Sequence, residues 1–236
     1  MPLHPEPAQD DEKSDLLKGT IMNEFVRVEE VHGIGLGLVA FKPIPSGTTW
    51  FRMTSDNNLV IPRNAFEHIR RIAKGCPEWE SLRQSIQLFS WYNSSEDAIN
   101  FPLDNVRYMN HAVDCNSTYD EPPEGAYLGA PSYTNCDIRP GEEIRENYLS
   151  YPECPWADLC DSFLKPQPRP SSEDFVGQYQ PVPPAEIMIT RGQFRVYAES
   201  NLSRDVDKAL LLVLAKTGIF DEERQAFILR IPTEGQ

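Results

Sequence analysis

The sequence predicts a mainly β domain of short strands with inserted helices, followed by a small α+β C-terminal extension. Three features carry that expectation. Short stretches rich in β-branched and aromatic residues recur between turn residues before position 160. Two segments between residues 63 and 91 instead repeat apolar residues at helical spacing. A proline-rich stretch, KPQPRPSSEDFVGQYQPVPP at 165–184, then sets off a C-terminal part with its own strand and helix patterns. Strands and helices do not alternate as βαβ units, so a doubly wound parallel sheet is not expected.

The elements follow in chain order. Residues 1–22 are polar and acidic, with prolines, and read as a disordered tail; they lack the basic and apolar regions of a secretory signal. The main domain is expected over 23–164. FVRVEEV (25–31) is a strand, HGIGLG a glycine loop, LVAFK a second strand, PIPSG a turn and TTWFRM a third strand. RNAFEHIRRIAKG (63–75) has Phe66, Ile69 and Ile72 on one face and stops at Gly75. A second helix runs from about Glu78 to Trp91, and residues 93–104 read as a polar loop. Between 106 and 151 the strand candidates are AYLGA and YTNCDI. In the extension, 185–236, IMIT and FRVYAE read as strands. SRDVDKALLLVLAKTG reads as a helix capped by Ser203 and stopped by Gly218. DEERQAFILRI reads as a last helix or a turn into a strand.

Composition narrows the function. The 236 residues carry a net charge of −14, which argues against direct binding to nucleic-acid phosphates and is explained either by solubility alone or by attraction to a basic protein partner. No run of eighteen apolar residues is present, so no membrane helix is expected. The odd set of five cysteines, Cys76, Cys115, Cys136, Cys154 and Cys160, contains no Cys-x-x-Cys pair. It fits a reducing compartment, nuclear or cytoplasmic, and no metal site is expected.

Three segments suggest chemistry. Gly33-Ile34-Gly35-Leu36-Gly37 lets backbone groups approach a ligand without Cβ obstruction, but a strand follows where a dinucleotide-binding loop would need a helix. By itself it is equally a tight turn. Arg107-Tyr108-Met109-Asn110-His111 leads to Asn116, a dense set of hydrogen-bonding groups or simply a polar turn. Arg139-Pro140-Gly141-Glu142-Glu143-Ile144-Arg145-Glu146-Asn147-Tyr148 reads as a turn and a solvated strand edge that ends on an aromatic.

In that order, GLGLVAFKPIPSGT, RYMNHAVDCN and RPGEEIRENY resemble the SET-domain family of protein-lysine methyltransferases, over residues 25 to about 160. The resemblance implies a β-clip-like SET fold of short curved strands in which the Asn-His and Tyr segments make a knot-like crossing. It implies S-adenosylmethionine as cofactor, bound by Gly35, Leu36, Gly37, Asn110, His111, Tyr148 and Trp156. Tyr148 would be the catalytic tyrosine, and Tyr108, Tyr119 and Tyr133, with Tyr127, are candidates for the substrate channel. The expected partner is a protein bearing the target lysine, with a histone tail as one candidate. Departures are Ala112, Val113 and Cys115 where the family usually has Ser, Cys and Pro, and Asn147 where an Asp is usual. With Val113 and no Cys-x-Cys tail, the zinc of cysteine-tailed members is not expected. The altered stretch also keeps open a catalytically weak or inactive SET-fold protein-interaction module.

Overall fold

The computed structural model describes residues 24–94, 96–119, 131–151, 154–155 and 185–232. Among them the chain is mostly short β-strands, in four small sheets, with a few helices. The strand candidate AYLGA, the proline-rich stretch 165–184 and the first 22 residues lie outside the described residues.

The opening follows its sequence. β1 (Val26–Val31) and β2 (Gly35–Ala40) form an antiparallel hairpin, Val31 facing Gly35. Gly33 and Gly35 at its turn have φ of 78° and 114°, a region that costs glycine nothing. β3 (Thr49–Arg52) follows the PIPSG turn, where Gly47 has φ 79°. The glycine segment is therefore not all loop, because Gly35, Leu36 and Gly37 begin β2.

The next region departs from expectation. β4 (Asn58–Pro62) leads directly into α1 (Arg63–Ala73), and α2 spans Pro77–Phe89. The second helix stops before Trp91, which opens β5 (Trp91–Asn93). The stretch expected to be a polar loop contains β6 (Ala98–Pro102), buried at all five positions and central in the sheet β4-β6-β5. Its Asn100 is tolerable there because the Asn58 side-chain amide donates to its oxygen at 3.2 Å.

A 3₁₀ turn, Asn105–Tyr108, precedes β7 (Asn110–His111) and β8 (Ser117–Tyr119). β9 (Pro131–Thr134) pairs with β3 and β8, and β10 (Glu143–Glu146) follows the Pro140-Gly141 turn. β10 is no solvated edge. It lies between β2 and β7 in the sheet β1-β2-β10-β7.

In the extension, β11 (Glu186–Thr190) matches IMIT, but FRVYAE is helical, within α3 (Arg191–Glu199). The reason is a capping box. Thr190 Oγ1 accepts the Gln193 N–H at 3.2 Å, and Gln193 Oε1 accepts the Thr190 N–H at 2.9 Å. The next helix, α4, is only Ala209–Thr217. Ser203 does not cap it. Asp207, wholly buried, accepts both the Arg204 N–H and its guanidinium, which holds 204–208 as a turn. β12 (Gly218–Asp221) and β13 (Ala226–Arg230) complete the sheet β11-β13-β12.

The extension is not a separate unit. Ile187, Ile189, Tyr197, Leu210, Val213 and Leu229 share one hydrophobic core with Phe66, Ile69, Trp79, Leu82, Ile86 and Phe101. A second core, including Leu38, Ile44, Trp50, Val106 and Ile144, lies under the four-stranded sheet. No helix among the described residues is long and apolar enough to cross a membrane.

Candidate active site

Three segments distant in sequence are neighbours in one sheet. β10 runs antiparallel to β2, with Ile144 opposite Leu38, and parallel to β7, with Arg145 opposite Asn110 and Glu146 opposite His111. The buried residues Leu38 and Ile144 anchor this arrangement from below. It brings the glycine strand, the Asn-His pair and the chain leading to Tyr148 side by side.

Side chains then tie the segments together. Asn110 Nδ2 donates to the Leu36 carbonyl at 3.1 Å and to Glu143 Oε1 at 2.6 Å, linking all three strands. Asn116 clamps β10 twice: its Nδ2 donates to the Glu143 carbonyl at 2.8 Å, and its Oδ1 accepts the Arg145 N–H at 2.9 Å. Gly37 lies at the tightest point. A Cβ there would come within 2.5 Å of Glu143 Oε1, 2.7 Å of Val31 Cγ2 and 3.0 Å of Asn110 Nδ2. Leu36 and Gly37 are thus held with their backbone close to the Asn110 side chain.

His111 and Tyr148 meet directly. The Tyr148 N–H donates to His111 Nδ1 at 3.0 Å, and the two rings lie 5.5 Å apart. The Tyr148 hydroxyl donates to the Met109 carbonyl. Burial, then the negative charges of Glu146 and Glu143, push that hydroxyl well above the usual tyrosine range, so it stays protonated.

Around Tyr148 the structure gathers an aromatic cluster. Tyr151 stacks on Tyr148 at 5.5 Å, and also lies 5.6 Å from Tyr119 and 6.4 Å from Trp91. Tyr119 and Tyr148 therefore share Tyr151 as a neighbour. Tyr108 packs away from this cluster: it is buried, its ring 5.7 Å from Phe89 and its hydroxyl on the Asn201 carbonyl. Tyr133 pairs with Thr118, one residue out of step with the Tyr119–Ser132 pair. Alternation along a strand sends its side chain to the opposite face of that sheet from Tyr119. Trp156 and Tyr127 lie outside the described residues.

Sequence reasoning missed Tyr151, Trp91 and Glu146. Glu146 is 3% exposed, on the inward register of β10 two residues after Ile144. Period-two alternation was the available signal, but a charged residue at an inward position is read as outward by default.

Beside the site, Asp114, Cys115, Asn116, Cys136, Asp137, Glu142, Glu143 and Arg145 line an open cleft whose charged groups are mostly acidic. Among the described residues, no three His, Cys, Asp or Glu side chains are grouped to hold a metal ion.

Comparison with known proteins bears on this geometry. The family model described as "SET domain" matches residues 35–149, which contain all three tied segments. No curated protein matches the sequence significantly. Among solved structures, a Plasmodium falciparum protein described provisionally as a histone methyltransferase is 13% identical. That alignment covers 52% of this chain and 92% of the other, at a TM-score of 0.35.

Proposed function

We propose that this chain, whose residues 35–149 match the family model described as "SET domain", moves a methyl group from S-adenosylmethionine to a lysine side chain of another protein. The observation that carries this reading is the convergence of Gly35–Gly37, Asn110–His111 and Tyr148 through one sheet and the Asn110 hydrogen bonds. When bound, the donor supplies a methyl carbon activated by a cationic sulfonium.

The residues present fit such a group. Gly37 lacks the Cβ that would collide with Glu143 and Asn110, so its backbone packs closely on those side chains, while the Cβ position of Gly35 faces open space where backbone can approach a ligand. The Glu143 carboxylate next to Asn110 complements a cationic donor. Gly35, Leu36, Gly37, Asn110, His111 and Tyr148 would hold it, with Trp156 as a further candidate.

The acceptor needs a neutral amine. A free lysine, with a pKa of about 10.4, is mostly protonated near neutrality. An aromatic surrounding and a neighbouring sulfonium charge both push that value down, so no strong side-chain base is required. Tyr148, kept protonated, orients the amine by hydrogen bonding instead of removing its proton. Alignment of nitrogen, methyl and sulfur then supplies much of the acceleration. The acidic cleft favours a substrate with basic residues around the target lysine, such as a histone tail met in the nucleus or cytoplasm.

The test is transfer of labelled methyl from S-adenosylmethionine to mixed core histones and to whole-cell extract, with Tyr148→Phe as the control. The variant should lose on the order of a hundredfold in rate, or change how many methyls are added. Absence of donor binding at millimolar concentration would sink the enzymatic reading and favour a protein-interaction module.

A further inference from the structure

Glu146 is a buried carboxylate that the proposed chemistry does not use. Its Oε1 accepts the Ser117 hydroxyl at 3.1 Å, and Ser117 Oγ in turn accepts the indole N–H of the fully buried Trp50 at 2.7 Å. Its Oε2 accepts the Tyr151 hydroxyl. Burial raises its pKa, against the hydrogen bonds from Tyr151, Ser117 and Ser132. Retaining an acid at such a position costs stability unless its bonds do something an apolar residue does not.

What those bonds fix is the central ring of the aromatic cluster. Tyr151 touches Tyr148, Tyr119 and Trp91, and its interplanar angle to Tyr148 is 22°. Glu146 is also opposite His111 in the sheet, and its carbonyl accepts the Ala112 N–H at 3.0 Å. One residue thus joins the Asn-His strand through its backbone and the tyrosine cluster through its side chain. A charged acceptor makes a stronger hydrogen bond than a neutral one, and this one is anchored from behind by Ser117 and Trp50.

We propose that Glu146 is a positioning residue that holds the Tyr151 ring against Tyr148 and so sets the wall against which the acceptor lysine is aligned. The inference rests on the methyl-transfer reading of this site. Glu146 does not touch the reacting atoms; it acts through the Tyr151 hydroxyl.

The experiment compares Glu146→Gln, Tyr151→Phe and the double variant in the full chain. Three readouts are taken: S-adenosylmethionine affinity by calorimetry, kcat and KM on mixed core histones, and the hydroxyl-bearing ring carbon of Tyr151 in carbon-13-tyrosine NMR, assigned by its loss in Tyr151→Phe. The expected result is a moved Tyr151 resonance in Glu146→Gln and a kcat lowered on the order of tenfold in each single variant, with donor affinity retained. The double variant should be no slower than the slower single one, as for two residues acting through one contact. An unmoved Tyr151 resonance overturns the proposal. So do effects on kcat that multiply in the double variant, or single variants that keep the wild-type kcat. A wild-type chain that binds no donor overturns the methyl-transfer reading instead, and the NMR shift still decides whether Glu146 holds Tyr151. If Glu146→Gln fails to fold, Tyr151→Phe tests the same bond from its other end, and full retention of kcat there overturns the proposal.

Discussion

Asp104 sits at the start of the 3₁₀ turn that leads to Asn110 and His111, and burial raises its carboxyl from 3.8 to about 6. The Val106 N–H, donating to Oδ1 at 3.1 Å, and the nearby Arg107 charge oppose that rise without cancelling it. The folded state therefore keeps this proton at pH values where the unfolded chain has released it. Stability from this group is highest below about pH 4 and falls as pH rises to about 6, by about 3 kcal/mol at most. Asp104→Asn keeps a residue suited to the N-cap and removes the titration. Urea denaturation from about pH 4 to pH 7 should show the variant gaining on the wild type through that window. Parallel curves would show that Asp104 does not carry the dependence. Tyr148 illustrates the opposite case, where raising the pKa preserves the protonated hydroxyl at every ordinary assay pH.

At the scale of elements, residue patterns were informative wherever one face is buried and misleading where both are. Helix α1 matches its sequence reading because helical spacing separates core from solvent, and the hairpin β1–β2 because glycines mark its turn. β6 is buried on both faces and carries Asn100, so its sequence has no alternation to read, and it passes for a loop. FRVYAE is rich in strand-forming residues, yet the Thr190–Gln193 box and the burial of Tyr197 decide for a helix. Gln193 does more than cap: its amide also donates to the carbonyls of Ser55 at 2.9 Å and Asn58 at 3.0 Å. Thr190→Ala should cost about 1 kcal/mol in chemical denaturation, the usual loss for an N-cap hydroxyl. A change below about 0.3 kcal/mol would mean that Gln193 holds the turn without its partner. The candidate site was legible as three ordered segments. The companion of Tyr148 was not, because Tyr151 is brought onto it by the 3₁₀ turn Tyr148–Ser150, which the residue pattern does not announce.

At the scale of the molecule, the shared core makes the C-terminal 185–232 part of the folding unit. Full burial of an Ile, Leu or Val side chain contributes about 1.5–3 kcal/mol, and Ile187, Ile189, Leu210, Val213 and Leu229 are all 2% exposed or less. Together they amount to about as much as the 5–15 kcal/mol margin of an ordinary domain, and their loss also uncovers Phe66, Trp79 and Phe101. A chain ending at residue 184 should therefore be insoluble or lack a cooperative melting transition, checked by expression and circular dichroism. A truncated chain that melts cooperatively near the full-length temperature would contradict a common core.

The position of β10 between β2 and β7 has a consequence for synthesis on the ribosome. β2 and β7 have both emerged long before the strand that must fill the gap between them, so the nascent sheet waits with unpaired backbone edges. Pairings so far apart in sequence form slowly, because loop closure must precede any gain in contacts. Half-made chains therefore display an open edge at the place where the finished protein has its candidate site, and that edge is a point at which chaperones or self-association would act.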